Sequence, residues 1–131
     1  MVAGAILAGV DLRGADLSGR DLTGVDLSGA RLDKVDFTEA CLDGACLDRA
    51  FLRRARFNRA SLVGATAKGS YMEDSSLRAA DLEDFDASES RMIGVDFRDA
   101  HFRGTRFLGT DLSAARLVDV DLADTDLTDS I

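Results

Sequence analysis

The stretch Ala15-Asp16-Leu17-Ser18-Gly19-Arg20-Asp21-Leu22-Thr23-Gly24-Val25-Asp26-Leu27-Ser28-Gly29 says nearly the same thing three times: a leading residue, then aspartate, leucine, a hydroxyl residue and glycine. The period is five, and it runs outward in both directions. All 12 glycines keep it, from Gly4 and Gly9 through Gly44, Gly64 and Gly69 to Gly94, Gly104 and Gly109. The large apolar residues keep it as well, among them Leu7, Leu12, Leu32, Phe37, Leu42, Phe57, Leu77, Phe97, Phe107 and Leu117. From Leu7 to Leu127 the register passes through 25 centres without insertion or deletion. Two residues before a centre the side chain is usually small, as at Ala15, Ala30, Ala40, Ala45, Ala50, Ala55 and Ala60.

A period of five matches neither the 3.6 of an amphipathic helix nor the 2 of a half-buried strand. The chain must turn a corner every five residues. One large and one small apolar side chain per side then face inward, and successive coils stack through backbone hydrogen bonds into a solenoid. Glycine supplies the positive φ that tight corners demand. The lack of proline agrees, since a missing N–H would break the ladder between coils.

Segments such as Ala15-Asp16-Leu17-Ser18-Gly19, Val25-Asp26-Leu27-Ser28-Gly29 and Ala80-Asp81-Leu82-Glu83-Asp84 resemble the pentapeptide-repeat family, and the resemblance covers nearly all of the chain. It implies an all-β fold: a right-handed quadrilateral parallel β-helix with one pentad per side and four per coil. Residues 1–131 would form one domain of about six coils without a capping helix, roughly 30 Å tall at the ~4.8 Å spacing of paired strands.

Composition narrows the function. No apolar run approaches the ~18 residues of a membrane span. Met1-Val2-Ala3-Gly4-Ala5-Ile6-Leu7 lacks a basic leader and already enters the repeat, so a cytoplasmic location is expected. Cys41 and Cys46 precede adjacent centres and are expected as outward-facing thiols, not as a disulfide. The one histidine, His101, stands where the pattern has Asp, with no nucleophile or second histidine fixed beside it. A core packed with Leu and Phe offers no cleft, so no enzyme is expected. No calcium-loop pattern is present, and neither metal nor cofactor is expected. The net charge of −8 disfavours direct binding of nucleic acid.

If residues 20 apart lie above one another, the chain sorts into four faces of unequal charge. The face centred on Leu22, Leu42, Leu62, Leu82, Phe102 and Leu122 carries Asp21, Asp43, Asp81, Glu83, Asp84, Asp121 and Asp124 against Arg103 alone. The next face has six acids against Arg49, Lys68 and Arg106, and the remaining two are close to neutral. Asp before a centre is expected to hydrogen-bond backbone at the corner. That accounts for Asp21, Asp81 and Asp121, but not for Asp43, Glu83, Asp84 and Asp124, which follow their centres. Two readings remain for the acidic corner. One is a solvated face that keeps the protein soluble. The other is a mimic of duplex phosphates, to which the resemblance lends a partner: some family members that protect DNA gyrase from fluoroquinolones are thought to act this way. Those members carry a C-terminal dimerisation helix and a break between repeat blocks, whereas this repeat runs unbroken to Leu127.

On the face centred on Leu12, Leu32, Leu52, Met72, Met92 and Leu112, the residues before each centre read Asp11, Arg31, Phe51, Tyr71, Arg91, Asp111. Arg31, Phe51, Tyr71 and Arg91 are expected to form a cation–π ladder that either stiffens the wall or anchors a partner. Arg49, Arg53, Arg54, Arg56 and Arg59 add a basic belt nearby.

The centres are eroded at Ala67 and Ala87 and altered at Met72 and Met92, while Phe57 and Phe97 lie across the interior and Phe85 takes a normally small place. Volume is exchanged, which points to packing rather than a ligand pocket. Arg20 sits at an inward position and is expected to bend out to water or an acid such as Asp21, because an unpaired buried guanidinium is costly. Ile6, Leu7, Val10 and Leu12 at one end, and Leu117, Val120, Leu122, Leu127 and Ile131 at the other, are expected to be left open. Leu117, Leu122, Leu127 and Ile131 are the expected docking surface for a homodimer or a capping partner. The reading as a whole is a non-catalytic protein-interaction or structural module, with the gyrase-directed DNA mimic as the alternative.

Overall fold

In the computed structural model of residues 1–131, every backbone bridge is parallel and joins residues 20 apart: Asp11 to Arg31, Arg31 to Phe51, Phe51 to Tyr71, Tyr71 to Arg91 and Arg91 to Asp111 along one column. Four pentads therefore bring the chain back above itself. Each straight segment is short, and its one bridging residue is the one before the centre. None of the 88 backbone hydrogen bonds lies within a helix or an extended strand, so cohesion comes from the stacking of coil on coil and from the turns.

The pentad around Leu42 shows how the period builds the ladder. Leu42 N–H donates to the Ser61 carbonyl at 2.7 Å and Gly44 N–H to the Val63 carbonyl at 2.9 Å, both in the following coil. Cys41 N–H donates to the Arg20 carbonyl of the preceding coil at 2.9 Å. Ala45 N–H closes the corner onto the Leu42 carbonyl at 3.0 Å. Gly44, third residue of that turn, has φ 66°, which is the requirement of a type II turn.

Non-glycine residues stand at the same corner position elsewhere, including Lys34, Arg54, Ala79 and Ala114 with φ of 62°, 57°, 56° and 58°. A left-handed conformation costs an L-residue about 1–2 kcal/mol, offset in part by the extra unfolded-state entropy of glycine. Ala79→Gly and Ala114→Gly are each expected to raise stability by up to about 1 kcal/mol, read as a higher urea midpoint. A lower midpoint in both would contradict the account.

Inside, centres and small positions interlock. Leu22, Leu32, Leu42, Leu52, Leu62 and Leu82 are completely buried, as are Ala30, Ala50 and Ala65. Phe37 stacks on Phe57 one coil away, with ring centroids 5.0 Å apart. Phe97, Phe102 and Phe107 form a second aromatic cluster with centroid separations of 5.3 to 5.8 Å. The eroded centres are filled: Ala67, Met72, Phe85, Ala87 and Met92 all have zero exposure, as volume exchange requires. Thr105 and Thr110 replace alanine at small positions and donate their hydroxyls to the Leu82 and Ala87 carbonyls, both at 2.8 Å. Arg20 is exposed, unlike the buried Ala40 and Ala60 above it, so its charge stays in water.

Candidate functional site

The outer surface is built on one recurring polar task. The N–H of the residue after each centre points outward and needs an acceptor. In the 11 pentads with Asp before the centre, that Asp supplies it, as Asp21 does for Thr23 at 3.1 Å, Asp81 for Glu83 at 3.1 Å and Asp121 for Ala123 at 2.9 Å. In four pentads where that position is not acidic, the acceptor comes from the preceding coil. Asp33 takes the Arg53 N–H at 3.0 Å, Asp48 that of Lys68 at 2.9 Å and Asn58 that of Arg78 at 3.2 Å. Asp43 belongs to this second set: it accepts from Val63 N–H at 3.1 Å and from the Ser61 hydroxyl. The expectation that only the acid before a centre serves the backbone therefore needs correcting. Sequence reading missed the cross-coil set because each of these acceptors lies 20 residues from its donor.

The acidic corner is thus split by employment. Asp21, Asp43, Asp81 and Asp121 are engaged with backbone, and Asp43, Asp81 and Glu83 are half-buried. Glu83, Asp84 and Asp124 have no hydrogen bond to a donor and no ion pair within the chain. The ladder opens on this wall. Bridges run from Asp21 to Cys41, Cys41 to Ser61, Ser61 to Asp81 and Asp81 to His101, but none joins His101 to Asp121. Gly104 N–H reaches the Asp124 carbonyl at 3.0 Å rather than that of Ala123, and Asp124 is the one corner residue between Gly4 and Asp129 without a positive φ. Asp81, Glu83, Asp99, Asp119 and Asp121 surround the resulting depression of about 430 Å³ together with His101 and Arg103. Like charges crowd the place where the two coils part.

The wall carrying the aromatic column has a different chemistry. Phe51 and Tyr71, both half-buried, stack with centroids 5.2 Å apart and planes 3° from parallel. The cation over Tyr71 is Arg53, at 5.2 Å from the ring centroid. Arg31 and Arg91, expected to bracket the stack, do not lie over a ring; Arg91 instead pairs with Glu73 at 3.2 Å, and Arg53 approaches the same carboxylate at 3.5 Å. The residue after the centre reaches the ring because it projects from the same wall one coil below. Two members of the basic belt are neutralised across coils, Arg56 by Asp36 and Arg59 by Glu39.

Models of the family described as pentapeptide repeats match residues 3–32, 17–54, 36–74, 55–92 and 90–129. The chain belongs to the pentapeptide-repeat family. This pentapeptide-repeat protein is similar to a solved one from the thylakoid lumen of Arabidopsis thaliana, with 27% identity over 90% of this chain and 72% of that one and a TM-score of 0.59. Weaker likenesses are to QnrB1, a plasmid-mediated fluoroquinolone resistance protein, with 19% identity over 98% and 82% of the two chains and a TM-score of 0.46. Another is to a pentapeptide repeat protein from Nostoc, with 22% identity over 92% and 83% and a TM-score of 0.47. No curated protein matches the chain.

At its ends the pentapeptide-repeat tower exposes apolar side chains. Ile6, Val118 and Ile131 are exposed by 82%, 58% and 78%, Leu127 by 37%, and Leu117 and Leu122 are half-buried. Cys41 and Cys46 are free, and the Cys41 sulfur lies 3.3 Å from the Thr23 hydroxyl. No three His, Cys, Asp or Glu side chains gather in a metal-holding group.

Proposed function

We propose that this protein is a non-catalytic interaction module: a right-handed tower of about six coils whose outer walls, not an internal pocket, meet protein partners in the cytoplasm. The observation that carries the reading is the Phe51–Tyr71 stack, held half-exposed on a wall where neighbouring pentads place Asp or Arg. Aromatic and arginine side chains are the usual anchors of protein interfaces. Leu117, Leu122, Leu127 and Ile131 form a second contact in this reading, for another copy or a capping partner. Neither cofactor nor direct nucleic-acid contact is part of it.

A second reading is favoured by one observation: Glu83, Asp84 and Asp124 are spared from intramolecular bonds on a wall that also carries Asp21, Asp81 and Asp121. Such a column offers a basic DNA-binding groove, that of a gyrase or another topoisomerase, the field of a phosphate backbone.

One experiment weighs both. Affinity capture from the host at low and high salt compares the parent with the Glu83→Gln, Asp84→Asn, Asp124→Asn variant. The variant is expected to fold with its stability unchanged within about 0.5 kcal/mol, since unpaired charges on a solvated wall contribute little. An interaction module retains its partner in both proteins. A DNA mimic captures a topoisomerase in a strongly salt-dependent way and loses it in the variant. Capture of nothing by the parent at either salt would sink both readings.

A further inference from the structure

We propose that Arg31, Lys34 and Arg54, beside the Phe51–Tyr71 stack, dock a short acidic, extended segment of a partner protein. The inference rests on the interaction reading above and names the chemistry of its partner. Two acids of this wall are already committed. Asp33 accepts the Arg53 N–H at 3.0 Å. Glu73, only 16% exposed at its side chain, lies between Arg53 at 3.5 Å and Arg91 at 3.2 Å. Arg31, Lys34 and Arg54, by contrast, are exposed and have no carboxylate within ion-pair distance. The wall therefore presents unpaired positive charge on a chain whose formal net charge is −8.

Geometry gathers these cations. Lys34 and Arg54 occupy the same corner one coil apart, tied by the Lys34 N–H to Arg53 carbonyl bond at 2.9 Å. Both line a depression of about 310 Å³ together with Asp33, Arg53, Glu73 and the exposed Asp74, so that Arg31, Lys34 and Arg54 are three unpaired cations beside one unpaired acid. Arg31 is bridged directly to Phe51, so the cations adjoin a rigid apolar floor already ordered by the stack and by Arg53 over Tyr71. A partner finds its aromatic contacts preorganised, which lowers the entropic cost of docking. A few carboxylates on a short segment satisfy three cations within two coils. A long polyanion would also run along the neighbouring acidic walls and be repelled, which favours an acidic peptide over nucleic acid.

Tyr71 is the only tyrosine and the chain has no tryptophan, so tyrosine emission reports from this wall alone. The test titrates the full chain with oligoglutamate, oligolysine and oligothymidylate, following Tyr71 emission, and repeats the series with Lys34→Gly, Arg54→Gly. Both positions have positive φ, 62° and 57°, so glycine removes the charge while relieving the backbone, and loss of binding is not loss of fold. Oligoglutamate is expected to perturb Tyr71 and to bind about tenfold more weakly to the variant, with an Arg116→Ala control unchanged. Equal oligoglutamate affinity in parent and variant overturns the proposal, as does tighter binding of oligothymidylate or no binding of any probe. Binding of oligolysine alone overturns the charge assignment and leaves the interaction reading standing. That reading fails separately, if host capture returns no protein partner.

Discussion

Phe85→Ala is expected to destabilise the tower by about 3–5 kcal/mol, the range for a fully buried aromatic truncated to alanine, and adding Ala87→Leu should recover a good part of the loss. Phe85 and Ala87 belong to one pentad, both point inward and both have zero exposure. In the ordinary pentad the first of these positions is small and the second large, as in Ala40 and Leu42. Here the order is inverted, so one ring occupies space that two positions share. Ala87→Leu alone overfills that space and should cost about 1–3 kcal/mol. Together the two changes restore the common pentad, and the double variant should be more stable than Phe85→Ala alone by more than about 1 kcal/mol, a coupling expected of touching residues. Urea unfolding of the four proteins at one pH measures the cycle. Strict additivity of the two losses would show that the ring fills something other than the place of the missing leucine.

That inversion also marks how far the sequence could be read. The corner positions, the inward centres and the stacking offset of 20 all follow from a strict period, because every pentad faces the same local geometry. The column from Asp11 through Arg31, Phe51, Tyr71 and Arg91 to Asp111 could therefore be written down before any coordinate was known, and the bridges join those residues in that order. What escaped were matters of contact between neighbours. That an N–H without an Asp in its own pentad takes an acceptor from the preceding coil, as Val63 does from Asp43, is a contact between coils and not a property of one pentad. Which of several arginines covers Tyr71 depends on side-chain torsions, and a period says nothing about those. The opening between His101 and Asp121 is collective in the same sense: no one residue there breaks the repeat, but Asp81, Glu83, Asp99, Asp119 and Asp121 line a single gap.

The same aspartates that close the corners make the tower sensitive to acid. Asp11, Asp16, Asp21, Asp26, Asp96, Asp111 and Asp126 all titrate below the ordinary value of 3.8, held there first by the side-chain hydrogen bond from the residue two ahead. At Asp36 desolvation pushes upward, but bonds from Thr38 and Arg56 outweigh it and its pKa is lowered too. A group whose folded pKa is depressed binds fewer protons folded than unfolded, so its stabilisation is complete above the unfolded pKa and is lost as pH falls through the folded one. The urea midpoint should accordingly stay level from about pH 7 to about pH 5 and drop steeply below about pH 4. Eight such groups act in parallel along the walls, and although each is screened by solvent their contributions add. Replacing Asp16 and Asp26 by asparagine keeps an oxygen acceptor for the Ser18 and Ser28 N–H groups but removes the titration, and the acid limb of the curve should become shallower. A midpoint at about pH 2.5 equal to that at neutrality would mean that these hydrogen bonds contribute nothing that depends on charge, and the corner aspartates would then be replaceable by any polar residue.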